Sequence, residues 1–110
     1  MKKSLDFHDF IVFDILGSLG NISSKPMMSG WAIYADGIPF AAIIGNNFYL
    51  KTKNSAVIDE LQEYGSEKFS YEKKDGKVVS MNYWLVPEDL FDIPEILEKI
   101  ATQAIEENIK

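Results

Sequence analysis

The chain has no cysteine, no arginine and a single histidine among its 110 residues. Without cysteine it can form no disulfide and no thiolate metal site, and no thiol of its own can act as a nucleophile. Every basic residue is a lysine, so the chain lacks the guanidinium fork that best reads guanine edges and grips phosphates, which weighs against direct nucleic-acid recognition. No stretch approaches the ~20 apolar residues of a membrane-spanning helix. The opening MKKSLDFHDF reaches Asp6 and Asp9 before any continuous apolar region develops. That pattern argues against a secretory signal, so a cytoplasmic location is the expectation.

What is present fits an ordinary globular protein: 46% hydrophobic and 25% charged residues, with seven Phe, five Tyr and two Trp to build a core. The length suits one domain spanning residues 1–110. The net charge of −6 is unevenly placed. Residues 1–85 carry ten acids against nine lysines, whereas residues 86–110 carry seven acids against two. The acidity therefore belongs mainly to the C-terminal region, which would repel a phosphate backbone.

Turn signals divide the chain into short elements. Ser4 can cap a first helix reaching Ser18 or Leu19, with Leu5, His8, Val12, Ile15, Leu16 and Leu19 on one face and Gly20 as a stop. Phe7, Phe10, Ile11 and Phe13 lie off that stripe, so this helix is either covered on several sides or meets a partner chain. Strands are expected at Ile22–Met28, Trp31–Ala35, Ile38–Ile44 and Phe48–Lys53, separated by Ser29-Gly30, Asp36-Gly37 and Gly45-Asn46-Asn47. Such short connections leave no room for crossover helices, and an antiparallel meander follows. Pro39 is tolerable at the start of a strand or on an edge. Asn54 or Ser55 caps a helix over Ala56–Tyr64, stopped by Gly65. A hairpin from Phe69–Lys73 to Lys77–Leu85 turns at Lys74-Asp75-Gly76, and its second strand places Tyr83 and Trp84 on opposite faces. After Pro87 a helical turn precedes a last amphipathic helix from Ile93 or Pro94 to Glu107 with an acidic outer face. The fold class is α+β: a mostly antiparallel sheet of about five to six strands packed with N- and C-terminal helices.

No catalytic constellation is visible. The helical neighbours of His8 at three and four residues are Leu5, Ile11 and Val12, none a metal ligand, so His8 is read as a partly buried or surface side chain. Ser70 and Lys73 match a bare S-x-x-K pattern, yet a strand puts them on opposite faces. Asp59, Glu60, Glu63 and Glu67 read as a solvated helix face and loop, and Gly30, Gly37 and Gly45 as turn glycines. No cofactor is expected. Aromatics with polar handles favour binding surfaces when they escape the core. Most of them should pack between sheet and helices, and the candidates for an interaction surface are Met28, Trp31, Tyr83 and Trp84, with Trp31 first because it follows the bend at Ser29-Gly30.

The string from Lys25 to Gly37, KPMMSGWAIYADG, then Phe40 and Tyr49-Leu50-Lys51, resembles the N-terminal domain family of the TfoX/Sxy competence regulators. The likeness continues through Gly65, Phe69 and Tyr71 to Met81-Asn82-Tyr83-Trp84-Leu85-Val86-Pro87, which is similar to that family's M-x-Y-W-x-V-P ending, and it spans residues 7 to 104. The family's R-M-F-G-G-x-G-L-Y loop is altered: Pro26 stands at the arginine, Met28 at the phenylalanine, and Ser29 and Ala32 at two glycine positions. Pro26 removes a positive charge and a backbone donor together. The resemblance implies an α+β regulatory domain without catalysis that binds a protein partner or itself. A nucleic-acid-associated regulator, which rests on the family analogy alone, and a small-molecule-binding domain with a pocket between sheet and helices are the alternatives.

Overall fold

The computed structural model describes residues 5–27 and 30–109. Its centre is one sheet of six antiparallel strands: β1 (Ile22–Met27), β2 (Gly30–Ala35), β3 (Ile38–Ile44), β4 (Asn47–Lys51), β5 (Lys68–Glu72) and β6 (Val78–Leu85). The first four form the expected meander. The last hairpin is inserted backwards, giving the order β1-β2-β3-β4-β6-β5. This places the apolar VVSMNYWL strand inside and leaves the charged KFSYE strand at the edge, where half of its backbone groups can meet water.

Helix α1 (Leu5–Asp9) runs directly into a π-helical segment, Phe10–Ile15, and the Leu16 N–H donates to the Ile11 carbonyl at 3.0 Å. The wider turn changes which residues share a face. Ile11, off the stripe in the sequence reading, is fully buried with Val12 and Leu16, while Phe13 is 65% exposed. The helix also stops earlier than Ser18. Its expected cap, Ser4, lies outside the described residues.

Helix α2 (Ser55–Glu63) is capped by Asn54, whose Oδ1 accepts from the Ala56 N–H at 2.9 Å. A 3₁₀ turn, Glu88–Asp92, precedes α3 (Pro94–Ile109). Ile11, Leu16, Val57, Leu61, Leu90, Leu97, Ile100 and Ala104 close against Ile33, Ala35, Phe40, Ala41, Ile43, Phe48 and Leu50 in one core. Register shows why Phe40 joins them: Ile33 pairs with Ala41 but Tyr34 pairs with Pro39, leaving Phe40 as the extra residue of a bulge. Pro39 is therefore accommodated by that bulge, near the start of an interior strand.

Gly30 supports the close approach of β2 to β3. A Cβ at this position would collide with the Ile43 carbonyl oxygen, so no other residue fits without moving backbone.

Candidate interaction surface

Strand alternation divides the sheet residues into two sets. Trp31, Ile33 and Ala35 pair with Pro26, Ser24 and Ile22 on one side, and Trp31 and Ile33 pair with Ile43 and Ala41 on the other; Phe48, Leu50 and Trp84 continue the same face. This is the face against which the helices pack. The second set is Ser23, Lys25 and Met27 on β1, Gly30, Ala32 and Tyr34 on β2, Ala42 and Ile44 on β3, and Asn47, Tyr49 and Lys51 on β4. Tyr83 and Leu85 extend it on β6, through their pairing with Lys51 and Tyr49. None of the second set belongs to the helix-side core.

The four residues singled out in the sequence do not share one surface. Trp31 lies on the helix side, where its ring centroid is 4.2 Å from that of His8. The His8 Nδ1–H donates to the Asp9 carboxylate at 2.8 Å, and Nε2 accepts from the Ser24 hydroxyl at 2.8 Å in the matching tautomer. His8 is thus an inter-element peg joining α1, β1 and β2, with both ring nitrogens engaged. Trp84 also packs against the core, with the Lys68 ammonium 6.0 Å from its ring centroid. Tyr83 alone stands on the helix-free face, and Met28 lies outside the described residues.

In the sequence Tyr34 stands out with Trp31, Tyr83 and Trp84 as an aromatic with a polar handle, but its link to Tyr49, Phe69 and Tyr71 shows only in the folded sheet. Phe69 meets Tyr49 edge-on with centroids 5.4 Å apart, and Tyr71 follows 6.2 Å from Phe69. The Lys25 ammonium lies 5.7 Å from the centroid of the Tyr34 ring. Ala32 and Ala42 pair directly, and their small side chains leave a low floor beside the taller Tyr34 and Tyr49. Ala42 is only 2% exposed although no helix among the described residues packs on its face, so its own sheet neighbours close over it. The more exposed apolar side chains lie toward the two edges of the sheet, Met27 on β1 and, at the opposite edge, Tyr71 on β5 and Met81 on β6.

Electrostatics distinguish this face from the helical layer. Its charged strand residues are Lys25 and Lys51, and neither forms an ion pair among the described residues. Glu67, in the loop before β5, stands at the rim near Tyr49. The Tyr49 phenol is pushed above its usual range by burial and, to a smaller extent, by the Glu67 charge, against a lowering hydrogen bond from Asn47. Tyr83 is raised by burial and then by its neighbour Tyr34. The region from Glu88 to Ile109 holds seven acids and one lysine.

The clefts at the end of the sheet are shallow and mainly polar. One of about 270 Å³ is bounded by Lys51, Lys53, Asn82 and Glu107 at the end of the sheet. Glu107 is already committed there: its carboxylate accepts from the Thr52 hydroxyl and the Lys53 N–H, both at 2.6 Å.

The model of the TfoX N-terminal domain matches residues 14–108. The chain belongs to the TfoX N-terminal domain family. All six strands, α2 and nearly all of α3 fall inside the match. No curated protein matches the chain. Within the family frame, the altered loop falls on edge strand β1 and the start of β2: Pro26 pairs with Trp31, Ala32 lies on the helix-free face, and Ser29 is outside the described residues. Membership of the TfoX N-terminal domain family supports a regulatory domain of that kind.

Proposed function

We infer that this chain is a non-enzymatic regulatory domain that works by binding a protein partner through the helix-free face of its sheet. The observation that carries the reading is that face itself, where Tyr34, Tyr49 and Tyr83 stand partly buried between the exposed Met27 toward one edge of the sheet and the exposed Tyr71 and Met81 toward the other. Tyrosine and methionine provide large, adaptable contact area at modest entropic cost, and a contiguous apolar face on an otherwise charged protein is typical of an interaction site. The reading takes residues 1–110 as one domain acting in the cytoplasm. Among the described residues no helix is long and apolar enough to cross a membrane.

Site-specific photo-crosslinking tests it. A crosslinking residue at Tyr83 should trap a protein adduct in cells, whereas the same residue at Glu98 on the solvent side of α3 should not. Adducts at both positions alike, or at Glu98 alone, would remove the sheet face from the proposal.

A further inference from the structure

We propose that the helix-free face docks an acidic segment of a different protein chain, one that carries aromatic or aliphatic side chains between its carboxylates. This rests on the interaction reading above and adds the chemistry of the occupant.

Charge on the face selects the occupant. Lys25 is paired in register with Ala32 and reaches over Tyr34, and Lys51 is paired with Tyr83. Each cation therefore stands beside a phenol on an apolar floor. The strands hold one carboxylate, Glu72, at the outer end of β5, and Glu67 stands at the rim. Unpaired ammonium groups flanking apolar side chains are complementary to carboxylates that alternate with apolar groups.

Another copy of this chain is a poor match for the face. A two-fold pairing of the face with itself would set lysines against a surface whose strand charges are lysines. The acidic layer of α3 could instead lie on the sheet face of the next molecule. That arrangement is head-to-tail, so it yields a ring or an open filament rather than a two-fold dimer, and a net charge of −6 on every copy opposes it.

The face suits polypeptide better than nucleic acid. Bases bind sheets by stacking on open ring faces. Here the Lys25 ammonium occupies a face of Tyr34, and Tyr49 and Phe69 pack edge to face at 74°. No arginine is present to hold phosphates.

The test is selection of short random peptides displayed on phage against the purified full chain, followed by binding measurements on the enriched peptides. Enriched peptides should be acidic with interspersed apolar residues, and salt should weaken them. The double variant Lys25→Glu/Lys51→Glu should lose about tenfold or more in affinity with an unchanged circular dichroism spectrum. Tyr83→Ser should abolish binding. Should that variant fail to fold, Met81→Ser, at a position 39% exposed, supplies the same arm. Enriched peptides that are neutral or basic yet need Tyr83 or Met81 would overturn the acidic chemistry and leave the interaction reading standing. Peptides indifferent to Tyr83 and Met81 would overturn both. No enrichment, tighter binding of oligothymidylate than of any selected peptide, or concentration-dependent self-association by light scattering would each overturn the proposal.

Discussion

The His8 imidazole packs on the Trp31 indole with ring centroids 4.2 Å apart and an interplanar angle of 44°, tying the first helix to β2. The same imidazole reaches β1 through Ser24. Trp31 is thus a structural contact on the helix side of the sheet, and its substitution should act on stability first. Trp31→Ala is expected to cost about 2 kcal/mol, below the range for fully buried tryptophans because the side chain is only partly buried. Tyr71→Ala, on an exposed edge strand, should change stability by less than about 0.5 kcal/mol. Urea titrations of both variants give the comparison.

Gly30→Ala should be more damaging than its size suggests. The added methyl would meet the Ile43 carbonyl oxygen, a backbone atom within the β2–β3 ladder that cannot yield without breaking pairing. A loss of about 3 kcal/mol is expected, read as a fall in the urea midpoint with little change in slope.

Glu107 holds the end of α3 to the end of β4. Thr52 is 1% exposed, and its hydroxyl donates to Glu107 while accepting from the Asn54 N–H at 3.0 Å. Glu107→Ala leaves that hydroxyl without its acceptor and should cost about 1–2 kcal/mol. Glu107→Gln keeps one carbonyl acceptor and should cost less. Hydrogen exchange of the Lys53 amide should accelerate in the alanine variant, since that N–H donates to Glu107.

Alkaline stability should depend on the helix-free face. Burial raises the Tyr49 and Tyr83 phenols above the ordinary tyrosine value of about 10, so the folded chain keeps protons that the unfolded chain releases. Stability is therefore fully present below about pH 10 and falls as pH rises through the folded values. The double variant Tyr49→Phe/Tyr83→Phe should show a shallower loss of melting temperature above about pH 10 than the parent chain. Equal slopes would count against burial as the cause of these shifts.

Much of the fold was legible in local chemistry. Asp36 and Gly37 adopt positive φ angles of 51° and 81°, as a tight hairpin requires, and β3 spans Ile38–Ile44 as its apolar run suggests. Asn54 caps α2 as its side chain allows. The π-helical segment was not legible, because the insertion depends on how Ile11, Val12 and Leu16 settle into the core rather than on any helix-breaking residue. The candidate surface was only half legible. Alternation separated Tyr83 from Trp84 but could not say which of the two faces the helices would cover, so Trp31 was ranked above the tyrosines.

The sequence by itself determined the meander, the hairpins, the amphipathic last helix and the family frame, because turns, caps and periodic burial are properties of neighbouring residues. Tertiary structure decided the backward insertion of the β5–β6 hairpin, the bulge that carries Phe40 into the core, and the choice of covered face. Each of those depends on contacts between distant segments, where apolar β6 gains more from an interior position than β5 does and where helices can bury only one side of the sheet. Lys25, Tyr34, Lys51 and Tyr83 come from four segments between residues 25 and 83, and only the folded sheet makes them one surface.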